Sequence, residues 1–439
     1  MKTYLLTLTG LLGVFLLNAQ NPISPPGVYF ADPSAKVWDD GHLYLYGSLD
    51  ESCDYYCSYR HHVMETSDLK SWIIHEDKFA SRGEGDEVPY NDELLYAPDC
   101  GFHNGRYYLY FCQPDPVNAE GVAFSDNPEG PFKNGQPINL GGHNQIDPSV
   151  FIDDDGQAYY MWGQFTLKMA KMKPNMTALD LSTLKDNVLT EEEHFFHEGA
   201  YMIKRNGIYY LVFADISRED KPTCIGYATS QSPMGPYEYQ GVIVDNNGCN
   251  PGNWNNHGSI IEYQDQWYVF YHRSTHGCKM MRKACVEPIT FNPDGSIPEV
   301  RMTSQGAGAP LDAFQKIEAE WACQLMGNVR VQAFSENEEE LAQIHNDDHA
   351  IIKYVDFGDG VNEVVLRVAP GKDGGRIVLS SDTPWNKKFA FIDIKGSDQP
   401  GEYQTLRFDV DQVEGVHALY LEFFGDGDDM LSLDWIRFE

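Results

Sequence analysis

The chain has 439 residues, with 32 Lys and Arg against 66 Asp and Glu, a formal net charge of −34. That surplus argues against nucleic acid and anionic membrane as partners, because their recognition rests on basic side chains that displace counterions. With 42% hydrophobic and 22% charged residues the chain is globular and long enough for two or three domains with buried cores, and 13% aromatics, 39 Gly and 24 Pro favour a β-rich protein full of turns.

Met1-Lys2, an apolar run from Leu5 to Leu17 and then Asn18-Ala19-Gln20 make the pattern of a secretory signal over residues 1–20, cleaved near Ala19. The run is shorter than the roughly 20 residues that span a bilayer, and no cysteine follows it to take a lipid. An exported bacterial protein, periplasmic or secreted and without a membrane anchor, is expected. The nine cysteines are scattered with no C-x-x-C pair, which argues against a zinc cluster. Their odd number leaves at least one thiol unpaired, and spacing does not select the pairs.

From residue 21 to 303 a segment recurs five times: ADPSAKVWDDGHLYLYG from Ala31, YAPDCGFHNGRYYLYF from Tyr96, IDPSVFIDDDGQAYYMWG from Ile146, HEGAYMIKRNGIYYLVF from His197 and NHGSIIEYQDQWYVFYH from Asn256. Each reads as strand, tight turn, strand. Asp40-Gly41, Asn104-Gly105, Asp155-Gly156 and Asn206-Gly207 mark the turns, with Asp265-Gln266 in the fifth copy, because Asn, Asp and Gly accept positive φ. The turns recur at the spacing of a four-stranded unit. A second motif, Ser-x-x-Pro-x-Gly-Pro-aromatic, appears in AFSDNPEGPF at Ala123 and ATSQSPMGPY at Ala228. Two repeats in one phase predict a five-bladed β-propeller, whose closure removes exposed sheet edges; a plain β-sandwich over this segment leaves the shared phase unexplained.

Counting back nine residues from each turn reaches Asp32, Tyr96, Asp147, Glu198 and His257. Equivalent positions lie on one ring, so three carboxyls, a phenol and an imidazole are expected at one mouth of the channel. A single Asp-Pro-Ser reads as a turn cap; three acids in one phase read as chemistry. Clustered, buried carboxyls raise one another's pKa, so one stays protonated while another stays ionised. His257 is expected either to hydrogen-bond in the core or to hold a water or hydrated cation in the channel.

These residues, with Ala31-Asp32-Pro33, Ile146-Asp147-Pro148-Ser149, His197-Glu198-Gly199, Asn256-His257-Gly258-Ser259 and the stretch Ser67 to Trp72, resemble glycoside hydrolase family 43. The resemblance implies Asp32 as general base, Glu198 as general acid, Asp147 as the residue that orients the acid, and inversion at the anomeric carbon. It further implies substrate contacts from Tyr96, where the family usually has Trp, and from Arg273; Trp72 and Trp162 are the other aromatics assigned to substrate. An exo-acting α-L-arabinofuranosidase or β-D-xylosidase on neutral plant cell-wall polysaccharide follows, with no organic cofactor. The competing class is a lectin-like propeller, which needs no matched acid and base. A fructan hydrolase or sialidase lacks its expected Asn-Asp-Pro-Asn-Gly or Ser-x-Asp-x-Gly-x-Thr-Trp string here.

Residues 304–315 read as a Gly/Ala/Pro linker, and 316–439 as short strands of a jelly-roll β-sandwich. Ile317-Glu318-Ala319-Glu320 and Leu433 to Phe438 resemble the terminal strands of a family 6 carbohydrate-binding module. That resemblance implies a calcium ion held by Glu318, Glu320 and Asp434. It departs from the family where aromatics should sandwich a sugar: Ala350-Ile351-Ile352 and Gly401-Glu402-Tyr403 stand there instead.

Overall fold

The computed structural model describes residues 14–16, 20–335 and 337–439; apart from Val14–Leu16 and Gln20, the expected export segment lies outside them. The chain is all-β. Among the described residues the helical elements are the single turns Glu191–His194 and Ala319–Trp321, and no helix is long and apolar enough to cross a membrane.

Five sheets follow one another along the chain, each laid down as an antiparallel meander. Their innermost strands are Phe30–Val37, Tyr96–His103, Ser149–Ile152, Phe196–Arg205 and Ser259–Tyr263. Each touches the innermost strand of the next blade, and the fifth touches the first, which closes the ring. The apolar cores lie between blades. Leu43, Leu45, Phe270 and Val286 join blades one and five; Tyr110, Tyr160 and Trp162 join two and three. Blade five has three strands of its own, and residues 21–24 run along its open edge. There Ile23 N–H donates to Ala284 O (2.8 Å), and the Asn21 side chain both accepts from Val286 N–H (2.8 Å) and donates to Val286 O (3.0 Å). The start of the propeller thus seals its end.

The turn dipeptides behave as their chemistry requires in blades two and four, where Asn104-Gly105 and Asn206-Gly207 take positive φ at both residues. Blades one and three use longer connections, closed by Trp38 N–H to His42 O and Asp153 N–H to Gln157 O. In blade five the two left-handed residues are Gln264 and Asp265, one position earlier than expected. No glycine marks the site, and Gln266 already pairs with Tyr263.

The second domain packs two sheets face to face. One contains His349–Asp356, Val416–Phe424, Gly374–Ser381 and Lys388–Lys395; the other contains Glu338–Ala342, Leu431–Phe438, Val361–Pro370 and Gln404–Val413. Ile317–Glu318 pairs with the last strand, Leu431–Phe438. The 304–310 stretch is not a free tether: Ser304 is wholly buried and exchanges hydrogen bonds with the Lys353 backbone. Lys283 of blade five and Glu339 of the sandwich form a buried ion pair at 2.5 Å, to which Tyr29 donates (3.0 Å). The two domains therefore share a desolvated polar joint, which is costly to break on one side only.

Candidate active site

The channel is floored by charge. Lys36 Nζ lies 2.8 Å from Asp99 Oδ1, and the Asp99 carboxylate also accepts from Ser34 Oγ (2.5 Å), Ser149 Oγ (3.2 Å) and Val150 N–H (2.7 Å). Three innermost strands are locked together just beneath the acids.

Above that floor Asp32 and Glu198 sit at irregularities of their strands, and Asp147 just ahead of its own. Asp32 falls in the register break between Ala31 and Ser34, and Glu198 lies between two breaks of blade four. Asp32 and Asp147, both before proline, hold φ of 53° and 66°, and Gly199 after Glu198 holds 67°. Non-glycine residues in the left-handed region are uncommon, more so before proline. The strain and the bulges re-aim the carboxyls from the sheet face into the channel mouth. A Cβ at Gly199 would stand 2.7 Å from the His257 ring, so only glycine brings His257 this close.

Asp32, Asp147, Glu198, Tyr96 and His257 line one cavity of about 250 Å³. Asp32 is buried and accepts from Ser48 Oγ (2.6 Å) and Arg282 Nη1 (2.8 Å). Its own N–H donates to His272 Nδ1 (3.2 Å), which leaves His272 Nε2 to donate to Asn255 O (3.1 Å). Burial alone would raise the Asp32 pKa, but the Arg282 guanidinium and the imidazoles of His272 and His257 outweigh it and hold the carboxyl well below the usual range. Asp147 is pushed the other way. Burial raises it well above the ordinary value, and the neighbouring Glu198 and Asp32 add to the shift. Glu198 is gripped by two amides, Gln164 Nε2 (2.8 Å) and Asn255 Nδ2 (3.3 Å). One cavity thus holds an ionised carboxylate and a carboxyl that keeps its proton, the condition for paired acid and base work.

His257 Nδ1 faces Asp32 Oδ1 at 3.7 Å and Asp147 Oδ2 at 3.9 Å, and burial pushes its pKa down. Among the described residues no three His, Cys, Asp or Glu side chains are grouped as a metal site. Glu318, Glu320 and Asp434 do line one cavity of the sandwich. Lys316 pairs with Glu318 at 2.9 Å and Arg367 with Asp434, while Glu320 Oε2 is buried without a partner.

Three expected substrate contacts do not reach the cavity. Trp72 is buried in the core between blades one and five. Trp162 is buried between blades two and three, its Nε1 donating to His143 O (2.8 Å). Arg273 is buried beneath the domain joint and donates to Thr303 O (3.2 Å). The reason is strand parity: Arg273 pairs with Lys283, and Ser274 with Arg282, so Arg273 and Lys283 share the face toward the second domain while Arg282 takes the face toward the site. Arg282 is the guanidinium of the cavity. It binds Asp50 through Nε (2.8 Å) and Nη2 (2.9 Å), turns Nη1 to Asp32, and stacks over Tyr56 at 5.1 Å.

Sequence reasoning also missed Trp254, Gln164 and Asn255, all of which line the cavity. Asn255 stands two residues before His257, immediately ahead of the fifth repeat. The 53–62 loop walls the pocket through Tyr56 and Cys57. The 81–94 loop turns instead to blade two, where Glu87 O accepts from Gly135 N–H (2.8 Å). A Cys53–Cys278 disulfide ties the first of these loops to the end of the blade-five hairpin; the other seven cysteines are free and buried.

Residues 19–297 match the family model for glycosyl hydrolases family 43, and residues 318–439 that for carbohydrate binding module family 6. A xylosidase/arabinosidase of Thermoclostridium stercorarium is 28% identical, the match spanning 93% of this chain and 96% of the relative. A family 43 β-xylosidase/α-arabinofuranosidase from a compost microbial metagenome, solved with xylotriose in a calcium-free form, is 30% identical with a TM-score of 0.55, covering 65% of this chain and 98% of its own. An arabinoxylan arabinofuranohydrolase structure from Bacillus subtilis, at 24% identity and TM-score 0.56, shares the fold over 96% of this chain and 97% of its own.

Proposed function

The chain belongs to glycosyl hydrolases family 43, and from that premise we propose that it is an exported, exo-acting glycosidase that removes terminal α-L-arabinofuranosyl or β-D-xylosyl units with inversion. The observation that carries this reading is the meeting of three buried carboxyls in one cavity in unlike surroundings: the Arg282 guanidinium 2.8 Å from Asp32 holds that carboxyl low, while burial and its acidic neighbours push Asp147 up. Asp32, ionised, takes a proton from water as the water attacks the anomeric carbon. Glu198, held by Gln164 and Asn255, hands a proton to the leaving oxygen, and Asp147 keeps a proton beside it and orients it. Inversion needs the two working carboxyls roughly 6.5–9.5 Å apart to admit water, against about 5–5.5 Å for retention; Asp32 and Glu198 stand on the non-adjacent blades one and four, which supports the wider arrangement. Proton NMR of a single turnover is expected to show the freed sugar first in the anomeric configuration opposite to that of the substrate. A product released with the substrate's configuration would refute the mechanism.

A cavity of about 250 Å³ is smaller than the roughly 300–1,000 Å³ that takes a drug-sized ligand, which supports one terminal sugar at a time. The relative from Thermoclostridium stercorarium is named for both xylosidase and arabinosidase activity, in keeping with either pentose on a neutral plant polysaccharide. A paired assay with chromogenic α-L-arabinofuranoside and β-D-xyloside tests the assignment. Export is supported by the amino-terminal pattern and by the disulfide, which persists in oxidising compartments.

The same reading assigns a structural calcium to Glu318, Glu320 and Asp434. Its support is a set of hard oxygen donors in one cavity, one of them, Glu320 Oε2, buried without a partner. Glu318, Glu320 and Asp434 would hold the ion, which would give Glu320 Oε2 the partner it lacks and would tie the first strand of the sandwich to its last. Saturating calcium is expected to raise the melting temperature of the second domain by about 5 °C over that in EDTA, a few kcal/mol of linkage, and Glu320→Gln to cancel the gain. Equal melting temperatures with and without calcium would remove the ion from the reading.

A further inference from the structure

We propose that the end of the sandwich formed by the 357–360, 382–387 and 413–416 connections is a docking face for a neutral β-1,4-linked polysaccharide chain, with Trp385 as its stacking platform. The inference rests on the reading of this domain as a carbohydrate module.

Strand register brings these connections together. Asp356 pairs with Val416, Ser381 with Leu419, and Val361 with Val413, so all three loops emerge at one end. The large apolar side chains exposed there are Trp385, 91% exposed, Val416 at 49% and Phe314 at 44%. Phe314 and the 413–416 connection meet at Gly358: Gly415 N–H donates to Gly358 O (2.9 Å), and a Cβ on Gly358 would lie 3.2 Å from the Phe314 ring, while the Trp385 turn is tied to the strand Val416–Phe424 by Asp382, 2.8 Å from His417 Nδ1. Beneath them Phe357 packs edge-on to Phe389 and Phe438, so the face stands on a rigid aromatic base.

The Trp385 turn is fixed by bonds directed inward. Thr383 N–H and the Asn386 side-chain amide both donate to Ser381 O (2.7 and 2.8 Å), and Lys388 Nζ donates to Pro384 O (2.7 Å). An indole is a large hydrophobic surface that folding ordinarily buries. Here a stiff turn holds it out into water at little further entropic cost to a ligand.

A sugar chain fits this face better than its competitors. A β-linked pyranose presents a flat face of C–H bonds to an indole and hydroxyls at its rim, matching an apolar ring among polar neighbours. Asp312, Asp356, Asp359 and Glu414 are exposed around the face, so an anionic polymer is repelled at close range. Three apolar side chains fall well short of the roughly 1,000 Å² that a stable protein interface needs. At the opposite end of the sandwich Tyr403 is already engaged: the Arg367 guanidinium lies 4.2 Å over its ring, Phe334 packs at 5.0 Å, and its hydroxyl bonds Glu340.

The test is affinity electrophoresis of the full chain, carrying Glu198→Gln to stop hydrolysis, in gels with soluble wheat arabinoxylan or with polygalacturonate. Arabinoxylan is expected to retard the chain and polygalacturonate not to, and adding Trp385→Ala is expected to weaken arabinoxylan binding at least tenfold. Equal retardation after Trp385→Ala, no retardation of the chain that keeps Trp385, or retardation by polygalacturonate would overturn the proposal. Trp385→Ala with Glu198 intact is expected to hydrolyse a chromogenic pentoside within twofold of the unsubstituted chain, an activity that stands or falls with the glycosidase reading alone.

Discussion

Replacing Asp32 by alanine is expected to lower hydrolysis of every glycoside by at least about 10³-fold, whatever the leaving group, because no other ionised group of the cavity takes the proton of the attacking water. General acid and general base contributions each run to about 10²–10⁴-fold. Glu198→Ala is expected to behave differently. On an oligosaccharide, whose leaving alkoxide must be protonated, the loss is again about 10³-fold. On a 2,4-dinitrophenyl glycoside, whose phenolate leaves unaided, the rate is expected within about tenfold of the unsubstituted enzyme. The two amides that grip Glu198 (2.8 and 3.3 Å) fix its direction in the free enzyme, so the split reports proton transfer and not a disordered side chain. Activity of Asp32→Ala on either substrate near that of the parent would remove the base assignment, and equal losses on both substrates for Glu198→Ala would remove the acid assignment.

The repeat made the acids legible, and the same device marks where legibility ended. A turn dipeptide needing positive φ leaves a mark in sequence, and counting from it reached four of the cavity's residues whatever the intervening chain did. In blade five that mark is absent, because Gln264 and Asp265 adopt the turn without a glycine. Counting from Gln266, one position past the turn, still reaches His257, whereas nine positions back from Asp265, which stands where the other turns have glycine, is Asn256, wholly buried and donating to Thr223 O (3.0 Å). His257 beside it is the residue in the cavity. Strand parity explains the arginine. Arg273 and Arg282 lie on paired strands of one hairpin and differ by a single step of register, and nothing within either strand says which face meets the channel and which the second domain. The domain joint that decides it, Lys283 with Glu339, links residues 56 apart along the chain and is invisible to any local pattern. Trp72 and Trp162 failed for a related reason. A propeller buries its largest side chains between blades, so tryptophan in a blade strand packs against the next sheet, while the aromatics at the mouth, Tyr56, Tyr96 and Trp254, come from loops and strand starts.

Arg282→Gln is expected to have the second large effect, on pH dependence and on stability together. The guanidinium satisfies the Asp50 carboxylate with two bonds and the Asp32 carboxylate with a third, all with its own side chain almost fully buried. Neutralising it leaves two buried carboxylates without their cation, a loss of about 3–5 kcal/mol at neutral pH. The sign of the pH effect follows from Asp32. Its folded pKa lies below its unfolded value near 3.9, so its stabilising contribution is present above that value and is lost as pH falls through the folded pKa. Without Arg282 the order reverses: burial, already the first cause acting on Asp32 and in the raising direction, is left opposed by the imidazoles and the Ser48 hydroxyl. The acidic limb of kcat/KM is then expected to move up by at least one pH unit, and the stability deficit against the parent to be smaller at pH 4, where Asp32 of the variant takes up a proton, than at pH 7. Arg282→Lys keeps the charge but not the fork, and is expected to restore most of the acidic limb while recovering only part of the stability. An Arg282→Gln enzyme that folds, works and shows the parent's acidic limb would separate this guanidinium from the ionisation of Asp32, and with it the electrostatic account of how blade five prepares the base on blade one.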